Sequence, residues 1–151
     1  EVLAAAEMLQ RDYGVGADVY SITSFSELRR QALEGERWNL LHPAEKPRSA
    51  YVSDLLGAAQ APVVAATDYM RSVPDQIRQW VPGPYVTLGT DGFGRSDGRA
   101  ALRHHFEVDR AFIVLATLKA LAAEGAVDAA VVAAAVEKLG IDADKPDPMT
   151  T

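Results

Sequence analysis

The segment that most constrains the fold is a short, nearly uninterrupted apolar run, Ala61–Ala66, with the sequence APVVAA. A run without polar positions is typical of a strand that is covered on both faces in a parallel sheet. Helical patterns stand on both sides of it, and Tyr85–Leu88 is another strand candidate. This alternation predicts an α/β fold with helices on both faces of the sheet.

The chain begins inside a helical pattern. Apolar residues recur at helical spacing from Val2 to Tyr13, Gly14 ends the run, and Ala17–Ile22 follows as a third strand candidate. Because a right-handed crossover needs a strand before its helix, we expect a first strand upstream of Glu1. The predicted fold is an open, doubly wound, mostly parallel sheet.

Capping signals mark the next helices. Ser24 and Glu27 match a capping box, in which each side chain accepts from the other's free backbone amide. The helix that they open should end near Gly35. The polar stretch Pro43–Ser49 is a predicted connection, and the apolar stripe of Tyr51–Ala59 predicts another helix.

A further helix is predicted between the two apolar strand candidates. Thr67 or Asp68 can serve as its N-cap, because either side chain can accept from a free amide of the first turn. Its inward side would hold three apolar residues, Val73, Ile77 and Trp80.

Three helices are predicted in the last third of the chain. Leu102 and Phe106 would anchor the first of them. The second follows Asp109 and is apolar nearly all round, so we expect it to be deeply buried. The third lies between its predicted cap Asp128 and Gly140, where a hydrophobic staple and a glycine stop are expected.

These elements predict one α/β domain over residues 1–140. The remaining residues, 141–151, are rich in proline and acids and are predicted to form a tail on the surface.

Composition excludes several classes of function. The net charge is −6, from 15 Lys and Arg against 21 Asp and Glu, with no basic run. Binding to nucleic acid or to an anionic membrane is therefore not expected. There is no cysteine, and no apolar run approaches the roughly 20 residues that cross a bilayer. We expect a cytoplasmic protein.

The most unusual segment is Gly89–Gly98, with the sequence GTDGFGRSDG, at the predicted carboxyl end of a strand. Ligands and partners gather at such ends in open α/β sheets. A phosphate site at a following helix is one interpretation, but the glycine spacing matches no phosphate loop and the acids would repel an anion. Contact with another domain or subunit is the favoured interpretation. The candidate contact residues here are Asp91, Phe93, Gly94, Arg95 and Ser96.

His104 and His105 are two further interface candidates. Adjacent helical residues point about 100° apart, so the pair cannot face one metal ion well. We expect one of them to be packed and the other exposed, and His42 to lie in a surface loop. No serine has a nucleophile-elbow motif around it. No catalytic, cofactor-binding or metal-binding residue is predicted.

Two segments resemble a known family: Gly89–Asp97, GTDGFGRSD, and Leu102–Asp109, LRHHFEVD. They are similar to the C-terminal domain of homodimeric bacterial pyruvate dehydrogenases. Thr67–Met70 and Ile141–Pro146 resemble the same family. Transketolases share the fold but are expected to match only the shorter core Asp91–Gly94.

The resemblance implies a three-domain polypeptide that uses thiamine diphosphate and magnesium. Such an enzyme decarboxylates pyruvate and reductively acetylates the lipoyl group of the acetyltransferase component. The family holds its cofactor between the two upstream domains, through a Gly-Asp-Gly segment and paired asparagines that this sequence does not contain. No family catalytic residue therefore carries over, and His104 and His105 are not matched to the family's catalytic histidines.

The expected partners are the other domains of the same polypeptide, a homodimer partner and the dihydrolipoyl acetyltransferase component. Two alternatives remain open. The chain could be a module that docks the lipoyl-bearing component, since an acidic surface attracts a basic partner. It could also be a stand-alone, flavodoxin-like module that binds a phosphate or a nucleotide.

Overall fold

The computed structural model describes residues 1–151 and contains six α-helices, one 3-10 helix and two strands. Their bounds are α1 Val2–Tyr13, α2 Phe25–Leu41, α3 Tyr51–Gly57, β1 Val63–Ala66, the 3-10 helix Pro74–Trp80, β2 Tyr85–Leu88, α4 Arg99–His105, α5 Arg110–Ala123 and α6 Ala129–Lys138. None of the helices is both long and apolar enough to cross a membrane.

The two strands pair in parallel, with Val63 beside Tyr85 and Ala66 beside Leu88. Helices cover both faces of this small sheet. Since side chains of a strand alternate between faces, neighbouring residues of β1 pack against different helices. Ala66 packs with α1, α5 and α6, whereas Val63 packs with α3 and the 3-10 helix. The predicted α/β class with helices on both faces is confirmed.

Two apolar clusters hold the fold together. The first surrounds α5, and its buried members are Ala5, Leu9, Ile113, Val114, Leu118 and Ala135. The second lies on the other face, and its buried members are Val52, Ile77, Val81 and Tyr85. The Tyr85 hydroxyl donates to Pro74 O at 3.0 Å, and burial raises the pKa of this phenol to about 12.

The structure corrects the prediction of a strand at Ala17–Ile22. This segment is irregular, and its backbone groups have no hydrogen-bond partner. A β-strand is recognised by its hydrogen bonds to another strand, and no strand is bonded to this segment. All four residues of Val63–Ala66 are only half-buried, so the expected full coverage of that strand is also absent.

Helix α2 corrects a second prediction, because it continues through Gly35 to Leu41. Gly35 is buried, and a β-carbon there would lie 3.9 Å from Arg48 Cβ. The glycine is therefore a packing position and not a stop. The capping box is half formed, since Glu27 N donates to Ser24 Oγ while the Glu27 carboxylate accepts from Arg30.

The helix expected after Thr67 or Asp68 begins only at Pro74 and is a 3-10 helix. Thr67 Oγ1 instead accepts from Tyr69 N at 3.1 Å, which forms a turn. Ile77 is buried as predicted, whereas Val73 and Trp80 are half-buried. In α3, the buried residue is Val52 and not Tyr51.

The remaining caps are confirmed. Asp109 accepts from Ala111 N and Phe112 N, and Asp128 accepts from Ala130 N. Gly14 and Gly140 both have φ of 67°, a left-handed conformation that glycine adopts at a helix end.

The buried position of α5 leads to a stability prediction. Leu118→Ala should lower the free energy of unfolding by about 2–5 kcal/mol, because Leu118 has no exposed surface and truncation leaves a cavity. Leu40→Ala is the matched control, since Leu40 is 79% exposed. Urea unfolding followed by circular dichroism measures both. Equal losses would contradict the packing described above.

Candidate interface at the carboxyl edge of the sheet

The segment after β2 is attached to the segment after β1. Thr90 N donates to Tyr69 O at 2.9 Å, and Thr90 Oγ1 donates to Asp68 O at 3.0 Å. Gly89 is buried, and a β-carbon there would lie 2.6 Å from Tyr69 O. Only glycine therefore allows the two segments to come this close.

An ion pair fixes the start of the Gly89–Gly98 loop. The backbone N and Nε of Arg71 donate to Asp91 Oδ2 at 3.1 and 2.7 Å. Arg71 Nη2 also lies 3.0 Å from Met149 Sδ. One arginine therefore joins the segment after β1, the loop and the end of the chain.

The end of the chain packs onto this loop. Pro148 is buried, and a β-carbon on Gly92 would overlap Pro148 O. Gly92 has φ of 112°, which a side chain rarely allows. Lys145 Nζ donates to His105 O at 2.8 Å and to Glu107 Oε1 at 3.0 Å. The end of the chain is therefore attached at two points, through Lys145 and through Pro148.

A set of apolar side chains at this edge is exposed. We call it the edge patch, and its members are Tyr69, Met70, Phe93 and Met149. Tyr69 and Phe93 are each 71% exposed. Aromatic residues and methionine are enriched at protein interfaces, where they contact a partner over a large apolar area. The patch has the chemistry of a contact surface.

The other loop candidates are also exposed. A β-carbon on Gly94 would meet no atom within 4 Å, and Ser96 is exposed. Arg95 Nη1 lies 3.2 Å from His105 Nδ1. The loop therefore approaches α4 through Arg95, while Phe93, Gly94 and Ser96 face solvent.

The two histidines have different partners. His104 Nδ1 lies 2.8 Å from Asp109 Oδ2. His105 Nδ1 lies 3.2 Å from Arg95 Nη1, and the His105 carbonyl accepts from Lys145 Nζ. Burial, with the charges of these two cations, lowers the pKa of His105 and favours the neutral ring. The side chain of His104 is 44% exposed, whereas His105 Nε2 is buried, so one ring is the more exposed and the other the more packed. No group of three metal-ligating side chains forms in the structure.

A small cavity of about 180 Å³ lies at the carboxyl end of β1. Arg103 bridges Glu1 and Asp68 there, with N–O distances of 3.6 and 3.2 Å. Arg110 Nε donates to Glu1 Oε2 at 2.9 Å, which lowers the pKa of Glu1 to about 2. Arg103 is the one arginine in the lining of this cavity. Since Glu1 and Asp68 already neutralise it, the cavity is a poor site for a phosphate.

Sequence reasoning missed the residues that position the loop. Arg71, Arg103 and Lys145 carry only a charge as a signal, and their nearest charged partners lie 20, 35 and 38 positions away along the chain. Composition predicts that such charged side chains lie at the surface, but it does not show which of them form ion pairs with each other.

Comparison with known proteins places the chain in a family. The family described as "Transketolase-like TK C-terminal domain" matches residues 1–109. The chain belongs to this family. The match ends at Asp109, the cap of α5, and includes the edge patch except Met149.

The similarity to curated relatives extends over nearly the whole chain. The pyruvate dehydrogenase E1 component of Pseudomonas aeruginosa is 55% identical over 99% of this chain, which spans 17% of that protein. That of Escherichia coli K12 is 55% identical over 97% of the chain, or 16% of the relative. That of Mycolicibacterium smegmatis is 49% identical over 94%, or 15% of the relative.

Two glycines of the loop lead to opposite expectations. Gly92→Ala should release residues 147–149 from the loop and lower the free energy of unfolding by about 1–3 kcal/mol, because the new methyl group meets Pro148 O and the φ angle is unfavourable. Gly94→Ala should change neither the packing of residues 147–149 nor the free energy of unfolding, since its β-carbon meets only open space. Amide exchange at Met149 and Thr150 reports the release. Unchanged exchange in Gly92→Ala would contradict the contact.

Proposed function

We propose that this chain is the C-terminal, non-catalytic assembly domain of a pyruvate dehydrogenase decarboxylating component. The observation that carries the proposal is the 55% identity over 99% of the chain to a protein named pyruvate dehydrogenase E1 component. The parent enzyme would decarboxylate pyruvate and reductively acetylate the lipoyl group of the dihydrolipoyl acetyltransferase component. It would be a cytoplasmic homodimer.

The parent reaction needs thiamine diphosphate and magnesium, and the residues of this chain do not fit that cofactor. A larger cavity of about 390 Å³, an apolar groove beside β1, has 21 hydrophobic residues among the 26 that line it, and Asp18 is the one charged residue. In the smaller cavity the one arginine, Arg103, is paired with Glu1 and Asp68. A diphosphate is held mainly by cations, and neither cavity offers a free one. We therefore propose that other domains of the parent bind the cofactor.

The role of this domain would be to contact the rest of the enzyme through the Gly89–Gly98 loop and the edge patch. The loop is fixed by the Arg71–Asp91 pair and by the packing of Gly92 on Pro148, so it can present Phe93 without a large ordering cost. An exposed aromatic on a rigid base is a favourable anchor for another domain or for the homodimer partner.

The absence of cofactor binding can be tested on the 151-residue chain itself. Titration of thiamine diphosphate with magnesium into this chain should give no binding heat by calorimetry, and the chain should not release carbon dioxide from pyruvate. Micromolar binding would contradict the assigned role. The intact parent protein is the positive control.

The contact role can be tested with Phe93→Ser in the intact parent protein. This change should weaken domain or dimer association by about 30-fold or more, because an anchoring aromatic contributes about 2 kcal/mol or more. The isolated chain should keep its melting temperature, since Phe93 makes no buried contact there. Leu40→Ser is the matched control at an equally exposed position on α2. Dimer dissociation by sedimentation and melting temperature that are both identical for the parent and the two variants would exclude the loop as the contact.

A further inference from the structure

The end of α2 and the connection after it carry three stacked side chains, Trp38, His42 and Arg48, which we call the stack. The rings of Trp38 and His42 are nearly parallel, with centroids 4.5 Å apart and planes inclined by 11°. The Arg48 guanidinium carbon lies 4.2 Å from the centroid of the Trp38 ring. Because the face of an indole ring attracts a cation, Trp38 fixes the position of the guanidinium.

The backbone of Arg48 is held in place as well. Asn39 Nδ2 donates to Arg48 O at 2.9 Å, and Arg48 N donates to Asn39 Oδ1 at 2.8 Å. One side-chain amide of α2 thus holds both polar groups of one residue in the connection. Arg48 is therefore ordered before any partner arrives, which lowers the entropy cost of binding through it.

The side-chain donors of Arg48 are available to a partner. Its hydrogen bonds to Asn39 use backbone atoms, the residue is exposed, and it belongs to none of the ion pairs of the molecule. A guanidinium presents its N–H groups in a planar fork that matches the two oxygens of a carboxylate. The stack therefore offers a fixed, two-pronged site for a carboxylate.

The local charge favours an acidic partner, although the whole chain has a net charge of −6. Residues 37–48 contain three cations, Arg37, Lys46 and Arg48, against one carboxylate, Glu45. All four are exposed. Since charges are screened beyond roughly 8 Å at physiological ionic strength, the charge of this stretch and not that of the whole chain acts on a bound segment.

The surroundings of the stack fit a protein segment better than a small molecule. Neither of the two cavities described above is lined by Trp38, His42 or Arg48. Small ligands bind in concave sites that bury most of their surface. Leu41 is 53% exposed beside His42 in the sequence, and it adds apolar area to the site. Tryptophan and arginine are the residue types that contribute most to protein interfaces.

We propose that the stack is a docking site for an acidic peptide segment of another protein. A carboxylate of the segment binds the Arg48 fork, an apolar side chain contacts Leu41, and Arg37 and Lys46 attract further carboxylates. None of these residues belongs to the Gly89–Gly98 loop or to the edge patch. The proposal therefore adds a second surface and does not depend on the assembly role.

Two matched peptides test the chemistry of the partner. The probe is a short peptide of alternating glutamate and leucine, and its control has glutamine in place of glutamate. The acidic peptide should shift the nuclear magnetic resonances of the Trp38 indole and the Arg48 guanidinium in the 151-residue chain. It should bind about tenfold or more tightly than its control, because an ionised acceptor strengthens the hydrogen bonds. No shift, or equal binding of the two peptides, would overturn the proposal. Equal shifts with inorganic phosphate would assign Arg48 to small anions and would also overturn it.

A lysine variant tests the stack itself. Arg48→Lys keeps the charge but removes the planar fork, so the affinity for the acidic peptide should fall by about tenfold or more. Arg29→Lys is the matched control at another exposed arginine of α2, and it should leave the affinity unchanged. The melting temperature of Arg48→Lys shows that the fold is kept, since Asn39 holds only backbone atoms of residue 48. Full affinity in Arg48→Lys would show that a point charge suffices, contrary to the proposal.

The intact parent protein shows whether this face is open to another protein. Phenylglyoxal modifies accessible arginines, and mass spectrometry of the digested protein locates the modified residues. Arg48 should be modified in the parent as fully as in the 151-residue chain, and the acidic peptide should protect it in both. Modification in the 151-residue chain alone would mean that another part of the parent covers the stack, and would overturn the proposal.

Discussion

The parallel pairing of β1 with β2 organises the molecule. The hydrogen-bonded ladder continues past the ends of both strands, where Thr67 N donates to Leu88 O and Thr90 N donates to Tyr69 O. The edge patch is therefore built on an extension of the ladder. The outer edge of β1 opens on an apolar groove.

The sequence predicts most of the elements because their signals are local. The apolar run before Thr67, the caps Asp109 and Asp128 and the glycine ends each act through residues within one turn. Ala17–Ile22 has a strand pattern, but a strand needs a bonded neighbour and here that neighbour is absent. The sequence predicts a helix end near Gly35, but the helix continues to Leu41. Gly35 is buried against Arg48, a neighbour that the local sequence pattern does not reveal.

The candidate site was predictable as a segment but not as a geometry. Four glycines and several charges single out Gly89–Gly98, and the resemblance of this loop to one family is confirmed by the matched family and the relatives. The Arg71–Asp91 pair and the packing of Pro148 on Gly92 join residues 20 and 56 positions apart. Nothing in a single sequence pairs such residues, which is why the role of residues 147–149 emerges only from the structure.

The most direct test of the account is the intact mass of the polypeptide that carries this sequence in its source cells. The account predicts a chain roughly six times the 16.2 kDa of these 151 residues, because they span 17% of a relative's length. A mature polypeptide of 16.2 kDa would contradict the assembly role.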